Sequence, residues 1–193
     1  MTMGAVVLAA GSGTRLGGVA KALLLVDGVT YLERIVTTAR TVGVTEIVVV
    51  VGPPFGTDVR AAAELLGARV IDNPDPARGM ASSVALGFGE LVRLNTPNLD
   101  SAFLWPVDHP FVSAETLRVI ADTPGPLQVA KPTYYGRGGH PPLVMREVWP
   151  QLAACTSVEG GARTVIAGMQ VIEVPVTDGG VVRDVDLPSD VTS

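Results

Sequence analysis

Two cations set in a run of small residues near the N-terminus carry the most specific chemistry this sequence offers. From Leu8 to Lys21 the chain reads Leu-Ala-Ala-Gly-Ser-Gly-Thr-Arg-Leu-Gly-Gly-Val-Ala-Lys. Ala10, Gly11, Ser12, Gly13 and Thr14 let a backbone pass close to a bulky group, and successive N–H groups in such a turn face one concavity that suits an anion. Arg15 offers a planar fork for two phosphate oxygens, and Lys21 a compact charge on a flexible stem. A phosphate-holding loop uses all of these. A tight turn with two solvated cations leaves the five small residues, and the second glycine pair Gly17-Gly18, without a reason.

The elements that must position this loop read as alternating strands and helices. Gly4 to Ala9 is apolar enough for a buried strand, and a helix onset near Thr14 to Leu16 would turn its positive end toward the anion. A dinucleotide-binding strand should be followed by an acidic residue about 20 residues on. Here the next strand, Glu46 to Val51, runs into Gly52-Pro53-Pro54 without one. A P-loop needs Gly-Lys-Ser/Thr, whereas Lys21 sits between two alanines. Ala22 to Val26 reads as a short extended piece, and Tyr31 to Val42 as a helix from the spacing of Leu32, Ile35, Val36 and Ala39. Asp58 to Leu66 reads as a helix, Ala68 to Ile71 as a strand, Met80 to Leu94 as a helix and Ser101 to Val107 as a strand. Leu117 to Ala121 continues a helix. Leu127 to Lys131, Pro142 to Met145, Met169 to Val174 and Val181 to Val185 follow as strands. This alternation predicts an α/β domain with a mainly parallel sheet and right-handed crossovers, whose ligands lie at the carboxyl ends of the strands.

That rule singles out three further places. Asp108 closes a strand just before His109-Pro110, which displays its carboxylate at the ligand edge or makes it an ordinary turn residue. Ser82 and Ser83 follow Gly79-Met80-Ala81 at a helix start, where serines usually cap. Arg137-Gly138-Gly139-His140-Pro141 combines backbone access, a phosphate fork and an imidazole. It is an acceptor-binding loop for a second phosphate-bearing substrate, or a glycine hairpin with a solvated histidine.

Composition narrows the classes. The chain has 193 residues, 47% hydrophobic and 17% charged, and its pattern shows no linker, repeat or low-complexity tract, so residues 1–193 are expected to form one domain. No apolar run approaches the ~18 residues of a membrane helix. The start lacks the basic region of a signal peptide, and one cysteine excludes an internal disulfide, so a reducing cytoplasm is expected. A net charge of −5 with scattered cations argues against nucleic acid. Two histidines and one cysteine cannot build a Cys/His zinc cluster, so any metal should be oxygen-ligated, with Mg2+ or Mn2+ the natural candidates.

The loop, with Lys21 and Leu23 after it, resembles the Leu-Ala-Ala-Gly-x-Gly-x-Arg-x-Gly…Lys-x-Leu signature of nucleotidyltransferases with a glycosyltransferase-A-like, Rossmann-like fold. Within these it is most similar to the MobA-like branch that includes molybdenum cofactor cytidylyltransferase, and the likeness covers nearly the whole chain. The resemblance implies a three-layer α/β/α domain. It places Leu8 to Arg15, Lys21, Gly79, Ser82 and Ser83 on the nucleotide. It makes Asp108 a metal ligand, and Asp186, in the closing Asp184-Val185-Asp186-Leu187-Pro188-Ser189-Asp190, a second one. Tyr134 to Pro141 is similar to the family's Gly-x-x-Gly-Asn-Pro or Gly-His-Pro loop, while Glu159 stands where the family has aspartate, as a cap or ion partner. His109 departs from the glutamine common in the cofactor branch.

The implied reaction is in-line attack by an acceptor phosphate on the α-phosphorus of a nucleoside triphosphate, releasing pyrophosphate. Arg15, Lys21 and Asp108 would be the catalytic groups. The expected acceptor is the molybdenum cofactor and the expected donor CTP, because Ala10 leaves less room for a purine than the glycine of the guanylyl branch. A molybdoenzyme apoprotein is a further implied partner. The alternatives are another small phosphate acceptor, such as a sugar phosphate, or a cofactor-binding and delivery protein without turnover.

Overall fold

The computed structural model describes residues 2–11, 18–123 and 128–184. Ser12, Gly13, Thr14, Arg15, the helix onset expected there, Leu127, Val185 and Asp186 lie outside the described residues. In chain order the elements are β1 (Thr2–Leu8), β2 (Leu25–Val26), β3 (Val29–Thr30), α1 (Tyr31–Thr41), β4 (Val44–Val51), α2 (Gly56–Leu65), β5 (Arg69–Asp72) and α3 (Met80–Leu94). They continue with β6 (Leu99–Pro106), α4 (Ala114–Ala121), β7 (Val129–Tyr134), β8 (Arg137–Gly138), β9 (Leu143–Met145), α5 (Trp149–Ala153), α6 (Ala162–Ala167) and β10 (Val171–Pro175).

The β-branched runs form the middle of the sheet. Its order is β10-β7-β9-β6-β1-β4-β5, with β8 hydrogen-bonded to β7. The β1, β4, β5 and β6 neighbours are parallel, and β9 runs against both β6 and β7. Val6 and Val7 of β1 and Val48 to Val51 of β4 are fully buried, as a strand covered on both faces requires. Tyr31, Leu32, Ile35 and Val36 of α1, Val59 and Ala63 of α2, and Leu117 and Ile120 of α4 cover one face. Val84, Phe88 and Leu91 of α3, Trp149 and Leu152 of α5, and Val165 of α6 cover the other. This is the expected three-layer, mainly parallel α/β fold.

One close approach sets where α3 begins relative to β1. A Cβ on Gly87 would collide with the Val6 side chain, which is stiff and fully buried. A helix-interior glycine costs ~0.5–1 kcal/mol against alanine, so its presence marks a contact that a larger residue cannot make. The result draws α3 onto β1 and holds its first turn over the end of that strand.

Two expected extended segments take other forms. Lys21–Leu23 is a single 3-10 turn, closed by hydrogen bonds from the Leu23 N–H to Ala20 O at 2.9 Å and from the Leu24 N–H to Lys21 O at 3.1 Å. The strand expected from Val181 is instead a 3-10 turn over Gly179–Val181 followed by irregular chain. There the Asp178 side chain accepts the Gly180 N–H, and Val181 O accepts the His140 N–H in place of a ladder partner. Glu159 does not cap α6, whose N-cap is Gly161 without a side-chain hydrogen bond.

Candidate active site

The strand order reverses at β1: the chain moves outward through β4 and β5, then crosses back to place β6 on the other side of β1. Such a switch opens a crevice at the strands' carboxyl ends. A pocket lies there, walled by Leu8, Ala9, Ala10 and Gly11 after β1, Pro106, Val107 and Asp108 after β6, Pro76, Gly79, Met80 and Ser83 at the start of α3, and Lys21. A larger depression of about 610 Å³ lies at the opposite edge of the sheet. Its three arginines are already committed, Arg40 to the carbonyls of Val44, Thr45 and Gly67, Arg60 to Glu64 and Asp72, and Arg69 to Glu46 and Glu90. The crevice differs in holding Asp108, whose Oδ1 is buried and has no hydrogen-bond partner among the described residues.

Lys21 and Asp108 come from opposite walls and meet there, Nζ standing 3.9 Å from Oδ2. The other oxygen, Asp108 Oδ1, is buried and has no hydrogen-bond partner among the described residues. Leaving such an acceptor unmatched costs ~1–3 kcal/mol, so its environment is shaped for a further group. A hard cation suits it, and magnesium sites commonly use one or two carboxylates completed by substrate phosphates. Among the described residues no cluster of three or more His, Cys, Asp or Glu side chains could cage a metal by itself. Asp108 therefore fits a metal shared with phosphate, not a self-sufficient protein cage.

Asp108 is held rigidly. The Val107 N–H donates to Leu8 O at 3.1 Å, tying the two strand ends, and the Trp105 indole donates to His109 O at 2.9 Å from full burial. His109 Nε2 lies 3.8 Å from Asp108 Oδ1, and the His109 and His140 rings are 5.0 Å apart. Burial, then the neighbouring charges of His109 and Lys131, push the His140 imidazole down to about 4 against a weaker raising effect of its backbone hydrogen bond at Leu104. His140 is neutral at pH 7. The Nδ1 atoms of both histidines are buried without a hydrogen-bond partner among the described residues.

The two serines divide. Asn73, buried at the end of β5, donates to Ser82 Oγ at 2.8 Å and to Ser83 Oγ at 2.9 Å. Ser82 spends its own proton on Gly79 O, whereas Ser83 faces the pocket. Neither is the cap of α3: its N-cap is Gly79, at φ 92° and without a side-chain hydrogen bond. Asn73 is the residue that sequence reading passed over, and its signal was an amide between a strand and Pro74.

The structure brings His140 to Asp108 and His109 but carries Arg137 elsewhere. Arg137 pairs with Tyr134 at the exposed tip of the β7–β8 hairpin, on the face that packs with α1 and α4. The cation whose charge reaches His140 is Lys131, which the sequence reading treated only as the end of a strand.

A crevice at the switch point of a parallel sheet, with a lysine and a carboxylate facing across it, defines a nucleotide-handling α/β enzyme. Residues 5–174 match the MobA-like NTP transferase domain, and the chain belongs to that family, as a nucleotidyltransferase. It is 33% identical over 165 residues, 82% of this chain and 78% of the relative, to nicotine blue oxidoreductase of Paenarthrobacter nicotinovorans. The structure of Rv0371c from Mycobacterium tuberculosis H37Rv matches with a TM-score of 0.80 at 30% identity, over 98% of this chain and 95% of that one. The same protein in complex with manganese matches with a TM-score of 0.72 at 28% identity, over 91% and 89%. A nucleotidyl transferase from Methanothermobacter thermautotroptrophicus matches with a TM-score of 0.77 at 25% identity, over 98% and 94%. No helix among the described residues is long and apolar enough to cross a membrane.

Proposed function

We propose that this chain, as one domain over residues 1–193, transfers CMP from CTP to a phosphate group of the molybdenum cofactor and releases pyrophosphate. The observation that carries the reading is the convergence of Lys21 and Asp108 across the switch-point crevice, with one carboxylate oxygen buried and without a hydrogen-bond partner among the described residues. An acceptor phosphate oxygen attacks the α-phosphorus. A new P–O bond forms, the bond to the β-phosphate breaks, and the electron pair leaves with pyrophosphate. The acceptor is already ionised at pH 7, so positioning and charge neutralisation do the work. Lys21 stabilises charge at the α-phosphate, Arg15 holds the departing pyrophosphate, and the backbone from Leu8 to Thr14 lines the triphosphate. Gly79 and Ser83 meet the ribose and base, and Ser82 supports Ser83 through Asn73.

Asp108, with Asp186 as its partner, would hold magnesium or manganese, which when bound screens the repulsion between two phosphate groups. The manganese complex of Rv0371c supports that choice of ion. Ala10 narrows the base end and favours a pyrimidine. A molybdoenzyme apoprotein would receive the product, and CTP and the cofactor would be met in the cytoplasm. Within the same chemistry a sugar phosphate is the alternative acceptor. The relative named as an oxidoreductase favours one reading of another class, a crevice that holds a nucleotide cofactor without transfer. The test is pyrophosphate release with each of the four nucleoside triphosphates and Mg2+, against a panel of phosphorylated acceptors that includes the molybdenum cofactor. Release with CTP and the cofactor is the expected result; no release with any pair removes the transferase reading of this crevice.

A further inference from the structure

The polar groups of the crevice do not stop at Asp108. Lys21, Asp108, His109 and His140 form a continuous line, through contacts of 3.9 Å, 3.8 Å and 5.0 Å between ring centroids, that leads from the β1–β6 crevice toward β7. Lys131 stands at its far end. Val129 packs with α3 and α5 while Ala130 packs with α1 and α4, so strand alternation puts Lys131 on the α3 face, with the crevice. Thr133 pairs with Gly138 across the β7–β8 hairpin and the Gly139 N–H still donates to Pro132 O at 2.8 Å, so the chain leaving β8 brings His140 near Lys131, whose charge acts on its imidazole. The ammonium lies against Gly138: a Cβ there would sit 2.5 Å from Lys131 Nζ.

Lys131 is half-buried, and among the described residues it has no ion-pair partner. A shielded lysine in the middle of a strand of Val129, Ala130 and Pro132 is an expensive choice for packing alone. It lies near the His140 imidazole, which stands beside that of His109, and the buried Nδ1 atoms of both rings have no hydrogen-bond partner among the described residues. Glu173 is the register partner of Lys131 on β10, yet among the described residues no ion pair joins them, and the ammonium lies across Gly138 on the other flank. An ammonium and two hydrogen-bonding rings suit a phosphate group. Resting on the transferase reading above, we infer that Lys131, with His140 and His109, forms a second anion subsite that receives a phosphate monoester of the acceptor substrate, and that Gly138 is a glycine so that the lysine can lie across it. Arg137, one residue away in sequence from Gly138, is on the other face and takes no part.

The experiment uses the full chain with Mg2+ and α,β-methylene-CTP, whose α–β bridge cannot be cleaved. Affinity for the analogue is measured by calorimetry first. Inorganic phosphate is then titrated with and without the analogue, with acetate as the carboxylate probe, for wild type, Lys131→Met, Gly138→Ala and Arg137→Met. Phosphate should bind the wild type, and Lys131→Met should weaken it about tenfold or more, the loss of one charge-assisted hydrogen bond. Gly138→Ala should weaken it as well, because a methyl moves only the flexible end of the lysine and leaves the fold and charge in place. Analogue affinity should stay within a few-fold of wild type in all variants. Equal phosphate affinity in wild type and Lys131→Met overturns the subsite. So does loss on Arg137→Met alone, preference for acetate, or no phosphate binding to the wild type. If the analogue itself fails to bind while phosphate binding still depends on Lys131, the nucleotide assignment falls and the anion subsite stands.

Discussion

Two aspartates stand just past parallel strands at the same edge of the sheet, Asp108 after β6 and Asp178 after β10, and they are used in opposite ways. Asp178 Oδ2 accepts from the Ser113 N–H and the Thr116 hydroxyl, each at 2.8 Å, and Oδ1 accepts from the Gly180 N–H at 2.8 Å. Burial would raise the Asp178 carboxyl, but these hydrogen bonds outweigh it and hold it below the usual carboxylate range. It pins the loop after β10 to the start of α4. Asp108 has a lysine at 3.9 Å on one oxygen and, among the described residues, no hydrogen-bond partner on the other. A carboxylate finished by its own chain is part of the fold, and one left unfinished beside a cation is prepared for a ligand.

The widest separation between the two turns should come from turnover. Lys21→Ala, Arg15→Ala and Asp108→Asn should each lower kcat about 10²- to 10³-fold, the cost of one preorganised electrostatic group, with urea midpoints unchanged. Near-wild-type rates in all three would erase the distinction. The next effect lies along the line from Asp108. His140 is depressed from 6.5 to about 4, so as pH falls through that window the unfolded chain takes a proton that the folded chain refuses. Unfolding free energy should fall by roughly 3 kcal/mol between pH 6.5 and 4, and His140→Gln should flatten that part of the profile. Flat behaviour in the wild type would show that His140 is solvated. Asp178→Asn should do the reverse of Asp108→Asn, costing about 2 kcal/mol and a few degrees of Tm while KM values hold. Because Asp178 is depressed, its contribution should persist above about pH 4 and vanish only below it. The smallest effect belongs to the base: in direct competition CTP should be preferred to GTP by about 1 kcal/mol, the scale of one methyl at Ala10. A GTP preference would contradict the base assignment.

Much of the fold was legible because its core strands and longest helix obey simple periods. Val84, Phe88 and Leu91 mark α3, which spans Met80–Leu94 as read from the sequence, and the run from Ile47 to Val51 lies inside β4. The end of the domain was less legible. Val181 looks like a strand residue, but the Asp178 side chain and the His140 N–H take the hydrogen bonds a strand would have used. At the site, Lys21 and Asp108 could be singled out singly, and their meeting across the crevice is a property of strand order. Arg137 and His140 were grouped because they are neighbours in sequence, yet strand alternation sends them to opposite faces and puts Lys131 in the arginine's place. The role of Asn73 in orienting Ser82 and Ser83 is not legible in the sequence, because its hydrogen bonds reach across nine and ten residues.

The central claim is that the unmatched oxygen of Asp108 is a metal ligand in a nucleotide site. Electron paramagnetic resonance of Mn2+ tests it most directly, since the free aqua ion's signal falls as the ion binds. With CTP present, wild-type protein should deplete that signal, Asp108→Asn should bind Mn2+ at least tenfold more weakly because an amide oxygen carries no charge for a hard cation, and Asp178→Asn should match the wild type. Equal Mn2+ affinity in wild type and Asp108→Asn would contradict the account.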